Sequence, residues 1–187
     1  MSNVATAAPS TLTGNYTIDP VHSRIGFSVR HMMVSKVRGQ FTEYTGTGYF
    51  DGEDPAKSHA ELTIKAASID TGNPDRDAHL RSNDFLAMEE HPEISFKTTE
   101  VKKVSDNVFK VTGDLAIRGV AKPVTIDFEY LGSTTDPWGK TRLGFEGTTT
   151  INRRDWGVNW NAALEAGGVV VSDNVTLEIE VEAVKAD

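Results

Sequence analysis

From Asn15 onward apolar and polar residues alternate with a period of two almost to the C-terminus, the signature of strands that bury one face. In SRIGFSVRHM, Ile25, Phe27, Val29 and His31 share one face, while Arg24, Gly26, Ser28 and Arg30 share the other. VRGQFTEYTGTGYFDG brings Phe41 and then Gly46 and Gly48, strand glycines that mark a bend or a close backbone approach. HAELTIKAASI groups Ala60, Leu62, Ile64 and Ala66, and EISFKTTEVKKV groups Ile94 with Phe96. NVFKVTGDLAIRG follows, and KPVTIDFEYLG places Val124, Ile126, Phe128 and Tyr130 together. KTRLGFEGTTTIN aligns Leu143, Phe145, Gly147, Thr149 and Ile151. In the closing NVTLEIEVEAV, Val175, Leu177, Ile179 and Val181 face in, and Glu178, Glu180 and Glu182 face out.

This pattern predicts an all-β chain of about eight antiparallel strands, several about 10–13 residues long against a typical ~5–6. Long one-sided strands must bury that face and protect their edges, and closing the sheet into a barrel does both. Eight strands leave an interior about wide enough for packed side chains or one small ligand. A β-sandwich satisfies the same alternation.

Two stretches interrupt the alternation. DRDAHLRSNDFLAMEEHP, residues 75–92, carries helix punctuation: Asn73 as cap, Pro74 in the first turn, and Asp75 and Asp77 at the positive end of the dipole. Asn83 or Asp84 offers a second start before FLAMEE, and Pro92 a stop, so the stretch predicts one broken helix or two short ones. Its apolar residues Leu80, Phe85, Leu86 and Met88 need burial, and a barrel mouth supplies it. Arg76, His79 and Arg81 stand beside them as candidates for a ligand headgroup, with pairing to neighbouring carboxylates as the structural alternative. The second interruption, INRRDWGVNWNAALEAGGVVVSDNV, holds Trp156 and Trp160 at helical spacing, on one side of a helix, to seal a barrel end or line a mouth.

The formal net charge of −8 argues against a nucleic-acid partner, and no apolar run approaches the ~20 residues of a spanning helix, so stable membrane insertion is not expected. Residues 1–14 read as a flexible lead-in and 15–187 as one barrel domain. MSNVATAAPSTLTG lacks the charged and apolar regions of a secretory signal, which points to the cytoplasm. Cysteine is absent, removing disulfides and thiolate chemistry. No two of His22, His31, His59, His79 and His91 stand at the i, i+4 helical spacing of a zinc pair, so no metal and no cofactor is expected. There is no nucleophile elbow and no phosphate-cradling loop. An isomerase or hydrolase of a small apolar substrate, with His31 or His79 as base, stays open as the enzymatic alternative. A buried histidine–carboxylate pair would mark it. His31 shares the inward parity, as a core histidine or as a polar group at the end of an apolar tunnel.

DPVHSRIGFSVRHM, DRDAHLRSNDFLAMEEHPEISF, GDLAIRGVAKPV and INRRDWGVNW, in this order and spacing, resemble the YceI-like family of lipocalin-like, polyisoprenoid-binding proteins. The resemblance covers about residues 15–184. It implies an extended eight-stranded antiparallel lipocalin-like barrel with short helices at its ends and an apolar pore for a long-chain lipid, such as a polyisoprenoid, an isoprenoid quinone or a fatty-acyl compound. It implies no catalytic residue, and a homodimer stays open. The expected pore residues are Phe27, Val29, His31, Phe41, Leu62, Ile64, Ile94, Phe96 and Phe128 on strands, with Leu80, Phe85, Trp156 and Trp160 from the interruptions.

Overall fold

The computed structural model describes residues 9–164 and 168–187. Its strands are β1 (Gly14–Ile18), β2 (Arg24–His31), β3 (Ser35–Phe41), β4 (Tyr44–Phe50), β5 (His59–Lys65), β6 (Ile69–Asp70), β7 (Glu93–Ser105), β8 (Val108–Ile117), β9 (Val120–Thr135), β10 (Thr141–Asn152) and β11 (Val171–Lys185). Every pairing is antiparallel, and the ladder closes where β1 meets β11 at Tyr16↔Lys185 and Ile18↔Ala183. Both β1 and β2 pair with β11, β3 and β4 continue each other along the next row, and β5 and β6 along the one after. Three staves are thus each broken once, and the described strands form an eight-stave up-and-down barrel. Closure decides against the sandwich, because it leaves no long edge unpaired.

The three breaks lie side by side, at residues 19–23, 42–43 and 66–68. Backbone groups facing them are recovered locally: Asp19 N–H donates to Glu182 O (2.8 Å), Glu182 N–H to Ser23 Oγ (2.9 Å), and Thr42 N–H to Ser68 O (3.1 Å). A polar knot holds the outside of this belt. Arg142 bonds Asp19 (2.8 Å), Asp136 (2.8 Å) and Glu182 (3.0 Å), and His22 Nδ1 lies 2.8 Å from Asp19. His22 and Arg142 hold the Asp19 carboxyl down at about 2, and Asp19 in turn raises the imidazole of His22.

Parity predicts the inward face well except at bulges. On β7 the register shifts between Thr98 and Glu100, so the inward set passes from Ile94, Phe96 and Thr98 to Val101. A further shift lies on β9. There Phe145 pairs with Tyr130 but Gly144 pairs with Gly132, so Leu131 is a bulged, exposed residue and Ser133 turns inward. The N-terminal lead-in also departs from expectation. Pro9–Leu12 forms one helical turn, α1, whose Leu12 is buried against Tyr16 and Leu143, with Tyr16 OH donating to Leu12 O at 2.6 Å. Barrel structure therefore starts before Asn15. Residues 1–8 lie outside the described residues.

Candidate functional site

A cavity of about 420 Å³ runs along the barrel axis, within the range of ligand pockets. The wall carries Phe27 and Val29 from β2, Phe41 from β3, Leu62 and Ile64 from β5, Ile94 and Phe96 from β7, and Phe128 from β9. The interruptions contribute Leu80, Phe85 and Trp156. From Val175 to Ala183, β11 lines it over eight residue steps, which at ~3.3 Å each and a tilt of ~40° gives a length on the order of 20 Å. Polar wall residues gather near one place, with Ser58, His59 and Glu61 at the start of β5 and Thr98 on β7. There the β5–β7 ladder ends at Glu61↔Lys97, and Thr98 Oγ1 takes the Ala60 N–H at 2.9 Å.

Space in the lumen comes from rings laid over glycines. Phe27 pairs with Gly39 across β2 and β3, and a Cβ at Gly39 would lie 2.4 Å from the Phe27 ring. Phe96 covers Gly113 on β8 in the same way, at 2.5 Å. Each glycine lets an aromatic ring lie flat against the wall instead of projecting across the pore.

One end of the barrel is filled by apolar packing. Phe50, Phe109, Tyr130 and Phe145 form a cluster in which the closest ring centroids, Tyr130 and Phe145, are 5.4 Å apart. Phe50 and Phe109 also line the cavity but were not among the residues expected there. The signal was available, since Phe109, Val111 and Leu115 share a parity in VFKVTGDLAI.

The opposite end is closed by the two interruptions. Helix α2 (Pro74–Arg81) starts as expected, with Asn73 Oδ1 accepting the Arg76 N–H at 3.0 Å. Asp77 does more than face the dipole. It is buried and accepts from Thr71 N–H (3.0 Å) and Thr71 Oγ1. The second helix does not form. Ser82 ends α2, Phe85 and Ala87 N–H groups both return to Ser82 O, and Ala87 takes a left-handed φ of 48°. These turns direct Phe85 and Leu86 into the pore.

Among the described residues, the rim arginines pair with no carboxylate. Arg76 donates to Thr71 Oγ1 and O (both 2.7 Å), and Arg81 donates to Ala67 O (2.8 Å) and Ile69 O (3.2 Å). Two further arginines, unforeseen from the sequence, also donate to carbonyls, Arg153 with the Asp173 carboxylate 3.9 Å away. Arg118 donates through Nη1 to Asn83 O and Phe85 O (2.6 and 2.7 Å), fastening the turn segment to the β8–β9 hairpin. Arg153 is buried and donates to Ser172 O (2.9 Å), Val158 O (2.7 Å) and Val171 O (3.4 Å). Desolvation pulls its pKa below the usual guanidinium value. Most of these carbonyls belong to irregular backbone, where no strand partner satisfies them.

The tryptophans do not share a helical side. A 3-10 turn (Arg153–Trp156) stops at Gly157, whose φ is 77°. Trp156 plugs the cavity end and donates Nε1–H to Leu115 O at 2.8 Å, while Trp160 packs outside it on His79 and Phe85 (centroids 4.7 and 5.3 Å). Trp160 and His31 are not on the cavity wall. His31 pairs with Ser35 and Val171 at the rim, at the last register of β2. Parity gives a face, not a depth. A histidine–carboxylate pair exists, His79 Nε2 to Asp84 Oδ2 at 2.8 Å, but it stands on the outer surface, about half exposed, rather than buried beside the pore. Asp19, His22 and Glu182 form the one metal-competent cluster found among the described residues, and the Arg142 guanidinium already bridges its two carboxylates.

The YceI-like domain model matches residues 16–183. A UPF0312 protein of Photorhabdus laumondii is 43% identical over 151 residues, covering 80% of this chain and 78% of that one. Among solved structures, the YCEI protein of Campylobacter jejuni superposes with a TM-score of 0.74 at 32% identity, covering 84% of this chain and 90% of that one. A polyisoprenoid binding domain from Saccharophagus degradans gives a TM-score of 0.69 at 14% identity, over 91% and 98% of the two chains. No described helix is long and apolar enough to cross a membrane. With the closed barrel, its apolar lumen and a family match over nearly all of its length, the chain belongs to the YceI-like family.

Proposed function

We propose that this protein binds one long-chain apolar lipid, of the polyisoprenoid, isoprenoid quinone or fatty-acyl type, in the barrel lumen and stores or carries it without chemical change. The observation that carries this reading is the long cavity walled by aliphatic and aromatic side chains from all eight staves. Transfer of a methylene from water into such a lumen contributes about 0.8 kcal/mol, so a tail of about ten buried groups supplies roughly 8 kcal/mol before ordering costs. A tail of that length needs few polar contacts. The fold shared with the polyisoprenoid binding domain from Saccharophagus degradans supports the same ligand class.

The wall supplies little for catalysis. Tyr16 hydroxyl and the Arg153 guanidinium, which line the cavity, are engaged with backbone carbonyls; His59 and Glu61 on the wall are solvent-exposed, with Glu61 in an ion pair with Lys97; and the His79–Asp84 pair lies outside it. A dispersed fluorescent polyene fatty acid titrated into delipidated protein tests the reading. Saturation at one probe per barrel, with quenching of Trp156 emission and competition by a polyprenol, is expected. No saturable binding of either compound, or turnover of the bound compound, would refute it.

A further inference from the structure

The β2–β3 hairpin violates its own fold's preferences in three ways at one place. Its turn has Met32 and Met33 at φ 50° and 61°, with Val34 N–H donating to His31 O at 3.1 Å. That is a type I′ turn, for which Asn-Gly is the low-strain choice. Methionines there gain nothing by packing: Met32, Met33 and Val34 are 42%, 62% and 82% exposed. Val169 is exposed just before β11, where the chain meets the tip through the Met32 N–H to Val170 O bond (2.9 Å). The strands behind the tip then place like charges directly opposite. Arg30 pairs with Lys36, and Arg38 follows on the same exposed face. Cross-strand pairs of like sign are disfavoured. None of the ion pairs among the described residues includes Arg30, Lys36 or Arg38. Asp173, the nearby carboxylate of β11, is held by Arg154 at 2.7 Å.

We infer that this hairpin is a reversible docking device for an anionic lipid surface, its apolar tip entering the headgroup region and Arg30, Lys36 and Arg38 meeting the lipid phosphates. An apolar tip ringed by cations is complementary to that interface, where burial and charge attraction add. On a chain of net charge −8, three cations with no ion pair among the described residues beside one tip also orient the molecule, turning the rest of its acidic surface away from the membrane. Local rules broken together without a packing gain mark function rather than folding. The inference stands on this surface alone, and it gives the proposed cargo a source.

Vesicle flotation tests it, using equal parts phosphatidylglycerol and phosphatidylcholine against phosphatidylcholine alone. The protein should float with the anionic vesicles only, and added salt should release it. Met32→Asn with Met33→Gly installs the residues the turn prefers, so melting temperature should hold or rise while flotation falls at least about ten-fold. Arg30→Gln, Lys36→Gln and Arg38→Gln together should weaken it about a hundred-fold, near five-fold for each cation. Equal binding to both vesicles, no binding, or a double variant that floats unchanged would overturn the inference. So would a tip-dependent dimer by sedimentation that accounts for the exposed residues. Uptake of dispersed polyene fatty acid by the double variant separates the two ideas. Uptake retained with docking lost supports the device, whereas an empty barrel in both proteins refutes the cargo and not the docking.

Discussion

The two ends of the barrel are closed by different physics. One end is shut by Phe50, Phe109, Tyr130, Phe145 and Tyr16, side chains that meet because strand parity sends them inward, with Leu12 of α1 packed against Tyr16 and Leu143. The other end is shut by irregular backbone, drawn over the pore and fastened by arginine donors to carbonyls that have no strand partner. Apolar packing has no preferred direction and resists opening in proportion to area buried. A closure of a few charge-assisted hydrogen bonds is directional, so it releases as a unit once those bonds break. On the proposed function, the aromatic end is the floor of the lumen and the arginine-fastened end is the one through which a lipid would pass.

Removing packing from the floor should cost the most stability. Phe109→Ala deletes a buried ring from the cluster and should lower unfolding free energy by about 3–5 kcal/mol in denaturant melts. Phe96→Glu, by contrast, should fold less stably and lose at least about a hundred-fold in lipid affinity, since an unpaired carboxylate in an apolar pore is strongly disfavoured. Arg118→Ala removes two carbonyl contacts at the other end and should cost about 1–2 kcal/mol. Its distinguishing effect should be kinetic: faster lipid release in stopped-flow exchange than Phe109→Ala produces. If the floor variant exchanges faster than the strap variant, the assignment of floor and gate is reversed.

This difference also explains what could be read from the sequence. The floor and walls follow a two-residue period, so Phe27, Leu62, Phe96 and Phe128 were assigned to the lumen by parity, and Phe50 and Phe109 belonged to the same logic. The bulge at Leu131 has one mark in the sequence, the adjacent strand glycine Gly132 at φ 122°, but a glycine alone does not say which residue is inserted. At the strapped end the governing interactions join side chains to backbone carbonyls distant in sequence, Arg153 to Ser172 and Arg118 to Phe85. A carbonyl has no residue identity, so nothing in the chain announces which arginine it will take. The tryptophans fail for a related reason: Gly157 ends their turn before helical spacing can apply.

Smaller effects sharpen the contrast between lumen and belt. Gly39→Ala should push the Phe27 ring into the pore, because the three atoms nearest the added Cβ belong to the movable side chains of Phe27 and Thr71. Lipid affinity should fall several-fold with little change in melting temperature. At the belt, Asp19 titrates near 2 in the folded protein, and its raised partner is His22. The contribution of Asp19 is present above its unfolded pKa of ~3.9 and is lost as pH falls toward 2. The contribution of His22 is present below ~6.5 and is lost as pH rises through its higher folded value. Melting temperature should therefore be best supported by this knot between about pH 4 and 6.5, and Asp19→Asn should flatten both flanks. Least of all should chelation matter: with Arg142 bridging Asp19 and Glu182, EDTA should shift neither melting nor lipid affinity.

Native mass spectrometry of freshly purified protein, followed by solvent extraction of the same sample, bears most directly on whether the lumen is a lipid site. The expected result is a mass excess of one long-chain lipid per barrel, recovered in the extract and absent from folded Phe96→Glu. A bare-chain mass with an empty extract, persisting after incubation with polyprenol, quinone and fatty-acyl lipids, would show that the cavity holds no such ligand.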